Sequence, residues 1–211
     1  MNARRLISRA RRFWRDDAGS ALVEMGLVMP LFLLLAFGLI DFGRLAFSYV
    51  MAQKATEQAV RAAVVASPAC EGLATRNTRG PQAAQVVPFG TACRAQTGLC
   101  ADPGPVSCTA DAGETGQAIH ARIQALLPTN ATAANLRFSY AFDDNLGFLG
   151  GPYTPHVTVE IIDLGFEFVT PIGALATLLS ANDDGRVGQG FAFPSMSASL
   201  PAEILRDGDA S

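Results

Sequence analysis

Four cysteines, two histidines and one carboxylate set inside an apolar run are the side chains in this 211-residue chain whose spacing admits chemistry. Cys70, Cys93, Cys100 and Cys108 lie together in a stretch rich in Gly, Pro, Ala and Thr. An even number of cysteines reads as disulfides in an oxidising compartment, and two bridges are expected. Four cysteines allow three connectivities. Chain closure favours Cys100 with Cys108 and Cys70 with Cys93, but the sequence does not decide. A metal site is the weaker reading, because there is no C-x-x-C and neither His120 nor His156 stands at a ligand-like spacing from the cysteines. Neither metal nor cofactor is expected. The pairs Asp143-Asp144 and Asp183-Asp184 lack the ligand ladder of a calcium loop and read as solvated turn residues. Gly188-x-Gly190 has no strand-turn-helix setting for a phosphate, and no nucleophile elbow or H-E-x-x-H is present. An enzyme is not expected.

The remaining candidate is Glu24, and its setting is a membrane segment. From Ala18 to Ile40 it is the one formal charge. As a helix, about 20 such residues span about 30 Å, the thickness of a bilayer's hydrocarbon. A secretory signal peptide has a shorter apolar core, and a buried helix of a soluble protein rarely runs so long without polar breaks. Residues 1 to 19 carry six Arg against Asp16 and Asp17, a charge of +4, whereas residues 20 to 211 carry -7. A basic tip next to an apolar span reads as a cytoplasmic flank, which places residues 41 to 211 outside the cytoplasm. Nucleic acid is not an expected partner. A carboxylate within the span is costly and calls for a counter-charge or a function. Cleavage after Gly19 would make Ser20 the N-terminus, whose ammonium and the Glu24 carboxylate would neutralise one another. The plainer reading is a carboxylate that snorkels to water or pairs with the leader arginines.

The run from Gly19 and Ser20 through ALVEMGLVMPLFLLLAFGLIDFGR resembles the N-terminus of TadE-like proteins, minor pilins or pseudopilins of the tight-adherence (Tad/Flp) pilus system. Val23, Glu24, Pro30, Phe37, Gly38, Ile40, Asp41, Phe42, Gly43 and Arg44 stand at the family's positions, while Met25 and Gly26 replace the more usual Phe-Ala. The resemblance implies removal of the leader by a prepilin peptidase between Gly19 and Ser20. It also implies that Glu24 sets helix register against neighbouring pilins, with the Tad assembly machinery and the lipid bilayer as further partners. It covers residues 15 to 66 closely and 155 to 205 loosely.

The elements that must carry these residues follow from periodicity. Phe42, Leu45, Ala46, Tyr49, Val60, Ala63 and Val64 share a helical face opposite Arg44, Ser48, Lys54, Glu57, Gln58 and Arg61, so the helix is expected to continue outward until Pro68. Pro30 leaves a carbonyl without its donor and is expected to bend the membrane half. Glu114 to Leu127 reads as a helix with Ala118, Ile119, Ile123, Leu126 and Leu127 on one side. Strict alternation marks strands at Leu136 to Phe142 and Val157 to Ile161, a turn at Asp143 to Pro155, and a last strand with Met196, Ala198 and Leu200 on one face. Phe166 and Phe168 continue the pattern, and Ile172 to Leu179 is a short helix or an apolar segment.

The expected class is α+β, a long N-terminal transmembrane helix running into an extracytoplasmic, periplasmic domain whose antiparallel sheet packs on the helix. The expected divisions are 1–19 leader, 20–40 membrane helix, 41–66 amphipathic helix, 67–113 cysteine-containing loop region, 114–205 α+β domain and 206–211 tail. Two functions fit. One is a TadE-like pseudopilin of the bacterial inner membrane that takes part in pilus assembly. The other is a single-pass anchored binding module with no role in a pilus.

Overall fold

The computed structural model describes residues 20–81, 87–166, 193–203 and 205. The leader, Gly19, Phe168, the Ile172 to Leu179 segment, the Asp183-Asp184 pair and Gly188-x-Gly190 lie outside the described residues. The chain divides into two compact units, Met1–Arg44 with Phe168–Gly188, and Leu45–Glu167 with Gln189–Ser211. The fold is α+β.

Helix α1 is one element, Ser20–Ala63, and passes through Pro30 uninterrupted. Pro30 has no N–H to give the Gly26 carbonyl, four residues back. The Leu and Met residues on either side still favour the helix. Within the second unit its buried stripe is Ala52, Ala55, Thr56, Ala59, Val60, Ala63 and Val64, while Lys54, Glu57, Gln58 and Arg61 are exposed. Phe42 and Ala46, expected on the packed face, are exposed instead. The buried positions are mostly alanines, whose short side chains let a helix backbone approach its neighbours closely. Thr56 keeps its hydroxyl satisfied by donating to the Gln53 carbonyl at 2.8 Å. Two further backbone bonds, Val64 N–H to Val60 O and Ala66 N–H to Ala62 O, carry the turn to Pro68.

Among the described residues four strands follow, β1 Val106–Thr109, β2 Leu136–Ala141, β3 His156–Ile161 and β4 Met196–Pro201. They pair in the order β1-β2-β3-β4, each pair antiparallel. Register places Cys108, Phe138, Val159 and Ala198 in one row and Leu136, Ile161 and Met196 in another. Leu136, Phe138 and Tyr140 on β2 and Val157, Val159 and Ile161 on β3 are buried, so period two sends one face into the core. Strand β1 falls inside the stretch expected as a cysteine-containing loop, because its Val-Ser-Cys-Thr is too short to show alternation.

Helix α2, Glu114–Ile123, precedes β2 and ends in a 3-10 turn, Gln124–Leu126. Ile119 and Ile123 are buried, but Ala118, expected beside them, is exposed. The segment from Asp143 to Pro155 does more than turn. Its Leu149 is buried with Cys93, Leu99 and Cys100 in a small core of its own, against which Val87 and Phe142 pack.

The cysteines form two disulfides, Cys70–Cys108 and Cys93–Cys100, the second nested within the first. This corrects the pairing that chain closure favours. The reason is magnitude: the two patterns differ by only about 0.3 kcal/mol of loop entropy, and tertiary contacts outweigh that easily. Cys70 follows the end of α1, and Cys108 is paired by register to Phe138 in the sheet interior. The neighbouring Ala69 N–H donates to the Tyr140 phenol oxygen at 3.0 Å, and the Glu203 N–H to the Val64 carbonyl at 3.3 Å. The end of α1 is thus tied to β1, β2 and the chain beyond β4.

Two outcomes are expected. The Cys70–Cys108 bridge spans 38 residues and Cys93–Cys100 spans 7. Chain entropy then gives the first about 4 kcal/mol and the second about 2.5 kcal/mol. Paired Cys→Ser variants in thermal melts should show the larger loss for C70S/C108S, and a larger loss for C93S/C100S would contradict this account. Burial pushes the Tyr140 phenol up from its ordinary value near 10, with the Ala69 N–H pulling it the other way. Such a group contributes stability that is complete below the unfolded value and is lost as pH rises through the folded one. Tyr140→Phe should cost about 1–3 kcal/mol at neutral pH by orphaning the Ala69 N–H. It should also flatten the alkaline fall in stability, leaving the part due to Tyr153, whose phenol is raised by burial and by Asp102. Denaturant melts between neutral pH and pH above 10 check both effects.

Candidate membrane and assembly segment

Residue by residue, the first unit's helical stretch turns apolar side chains outward on every side. From Ala21 to Leu35 every side chain is exposed, Leu22 to 76% of its surface, and Leu39 reaches 79%. Fully burying one Leu or Phe is worth about 1.5–3 kcal/mol. Keeping a dozen of them in water would therefore cost tens of kcal/mol, more than a domain's net stability of about 5–15 kcal/mol. The helix is long and apolar enough to cross a membrane. Lipid, or the apolar helices of other chains, is the surrounding that such a surface requires.

Glu24 sits in this exposed apolar stretch. Its neighbours one turn away are Ser20, Ala21, Leu27 and Val28. Its carboxylate is thus presented outward, where a cation from another group has access. Ser20 is the first described helical residue. Gly19 lies outside the described residues, so the geometry of the Gly19–Ser20 bond is not seen. Pro30 lies within the helix on the same apolar run.

Where the apolar run ends, the structure brings together two residues of the family-like exit motif. Asp41 is 1% exposed, and its Oδ1 lies 3.5 Å from Nη1 of Arg44, which is half-exposed. A desolvated carboxylate is tolerable only beside such a positive charge. The i, i+3 spacing on the helix supplies it. Exposed apolar side chains continue past this pair with Phe42, Phe47 and Val50. The apolar surface therefore extends beyond the 20 residues that the hydropathy pattern alone marks.

The other candidate residues are not drawn into a common site. All four cysteines are consumed in disulfides. Among the described residues no group of three or more His, Cys, Asp or Glu is placed to hold a metal ion. Asp143 accepts from the Asn145 backbone N–H and side-chain amide, both at 2.9 Å. Those bonds hold its carboxyl below the usual carboxylate range, with His156 adding to the shift. His156 Nδ1 lies 2.6 Å from Ser199 Oγ, which is 2.9 Å from Thr158 Oγ1. Register explains this cluster: Thr158 and Ser199 are cross-strand partners, and His156 is two residues along β3 on the same face. Nothing in the sequence marks this cluster, because strand pairing is not readable from a single strand. Its serine is shared with Thr158, and it reads as a hydrogen-bonded surface patch of the sheet.

Comparison with known proteins singles out the N-terminal segment. The family model described as TadE-like protein matches residues 19–61. No curated protein and no solved structure matches the chain. The matched stretch is 43 of the 211 residues and contains Glu24, Pro30, Asp41 and Arg44. Residues 19–61 thus carry a TadE-like segment, which includes the apolar helix and Glu24, the one formal charge between Ala18 and Ile40.

Proposed function

We infer that this chain is a membrane-anchored pilin-like subunit, a TadE-like pseudopilin, that takes part in assembling a Tad-type adhesive pilus. The observation that carries the reading is the coincidence of the TadE-like match over residues 19–61 with a helix whose residues 21 to 35 are apolar and exposed on every side apart from one carboxylate, Glu24. A subunit of a helical assembly needs such a helix twice. It needs the apolar surface first to reside in lipid and then to pack against the helices of neighbouring subunits. The acid gives direction to the second step. In hydrocarbon an ionised carboxylate is costly wherever it lacks a positive partner, so a neighbour that presents one is favoured at one register alone.

In this reading residues 1–19 face the cytoplasm as a basic leader, and a prepilin peptidase cuts between Gly19 and Ser20 at the inner membrane. The new Ser20 ammonium is the counter-charge for a Glu24 carboxylate. The second unit is periplasmic, in keeping with the disulfide bonding of every cysteine in the chain. No step of bond chemistry is assigned to the protein itself. A tether that only displays a binding module is the competing reading. It would need the helix for its hydrophobicity but not for the position of its acid.

The two readings part on Glu24. Glu24→Ala should leave membrane insertion intact and abolish piliation, while Glu24→Asp, keeping the charge, should retain part of it. Unchanged piliation in the alanine variant would remove the assembly mechanism. The intact mass of membrane-extracted protein should lack residues 1–19, and should rise by four hydrogens on reduction. A mass that retains the leader would leave a plain anchor.

A further inference from the structure

A basic and aromatic corner of the second unit has no part in the assembly reading. Between Gly72 and Ala101 the chain has Arg76, Arg79 and Arg94 and no carboxylate, so this stretch carries +3 while the rest of the chain from Ser20 onward carries -10. Two phenyl rings stand in or beside it. Phe89 is 76% exposed and Phe148 is 46% exposed.

Each ring lies over a glycine. A Cβ on Gly150 would lie 2.5 Å from Phe89 Cδ1, and one on Gly151 would lie 2.4 Å from Phe148 Cε2. Each ring therefore rests on backbone that only glycine leaves bare. The backbone beneath is laced by Gly90 N–H to Leu149 O at 2.9 Å, Leu149 N–H to Thr91 O at 2.9 Å and Gly150 N–H to Asn77 O at 2.8 Å. The Cys93–Cys100 bridge is buried in the same small core. Arg79 places its guanidinium 5.8 Å from the Phe89 ring centre, and its Nη2 donates to the Val87 carbonyl at 2.6 Å. That anchor uses one of five donors. A lone exposed apolar side chain is ordinary. Two exposed rings over adjacent glycines, with an anchored guanidinium beside Phe89, make a surface of defined chemistry.

Its size and charge select the occupant. A stable protein interface buries about 1,200–2,000 Å² in total, whereas two rings and one guanidinium offer a few hundred, at roughly 150–250 Å² per aromatic side chain. Anionic membrane surfaces are recognised by clusters of about four to eight Lys or Arg, and here one arginine borders the rings. An acidic sugar meets both features, because the C–H face of its ring stacks on a phenyl while its carboxylate takes charge-assisted hydrogen bonds from a guanidinium. We propose that Phe89, Phe148 and Arg79 form a subsite for the carboxylated sugar units of an anionic polysaccharide. The proposal stands apart from the pilus reading, since it needs only the folded, disulfide-bonded second unit.

Affinity electrophoresis of the full chain in detergent micelles tests it, with polygalacturonate, alginate, neutral dextran or polyglutamate in the gel. Polygalacturonate or alginate should retard the protein, and dextran and polyglutamate should retard it at least tenfold less per unit mass. Arg79→Gln and Phe89→Ala should each weaken the binding by tenfold or more, and Arg94→Gln, which removes the same charge elsewhere in the stretch, by less than twofold. Unshifted thermal melts for the variants would exclude loss of fold as the cause. Absence of retardation by both acidic polysaccharides overturns the proposal. So does equal retardation by polyglutamate, or an equal loss in Arg94→Gln, since either would mean general attraction between charges.

Discussion

An apolar helix with no protein around it cannot stand in water, and much of this molecule follows from that constraint. The free energy at stake over residues 21 to 40 is tens of kcal/mol, at about 1.5–3 kcal/mol per large side chain. It requires lipid or other helices as surroundings. A carboxylate set within such a stretch differs from one on a water-facing surface, because hydrocarbon offers its charge no solvation. In water Glu24 would be an ordinary surface residue. In hydrocarbon its charge needs a partner, and a partner has a position.

The same helix changes character as it passes into the second unit. Up to Val50 most of its exposed residues are large and apolar, and from Ala52 onward its buried residues are mostly alanine. Large side chains suit a surface that meets lipid or other chains, where area is what counts. Small ones suit packing within the chain's own unit, where distance counts. The end of this helix is then fastened several times over, by a disulfide, by a phenol accepting a backbone hydrogen bond, and by the backbone bond from Glu203.

The small core around Cys93, Leu99, Cys100 and Leu149 obeys a different logic. Four buried residues supply too little apolar area to order long loops, and a cross-link substitutes for the missing core. Stapled loops of this kind hold side chains in place without burying them. Phe89 and Phe148 stand exposed beside this core, over glycines that no periodicity would single out.

Periodic and compositional features were decided by the sequence itself. The membrane-length helix, the alternating strands at Leu136–Ala141, His156–Ile161 and Met196–Pro201, and the helix from Glu114 are all local patterns, because each depends on which side of one element meets the core. The TadE-like character of residues 19–61 was legible for the same reason, being carried by contiguous residues. Tertiary structure alone decided what joins distant positions. It set the Cys70–Cys108 and Cys93–Cys100 pairing, the edge strand at Val106–Thr109, the burial of alanines in place of Phe42 and Ala46, the meeting of His156 with Ser199, and the seating of Phe89 on Gly150. Loop entropy separates the alternative cysteine pairings by only about 0.3 kcal/mol. Against so shallow a local preference, the contacts made when the whole chain folds determine the outcome.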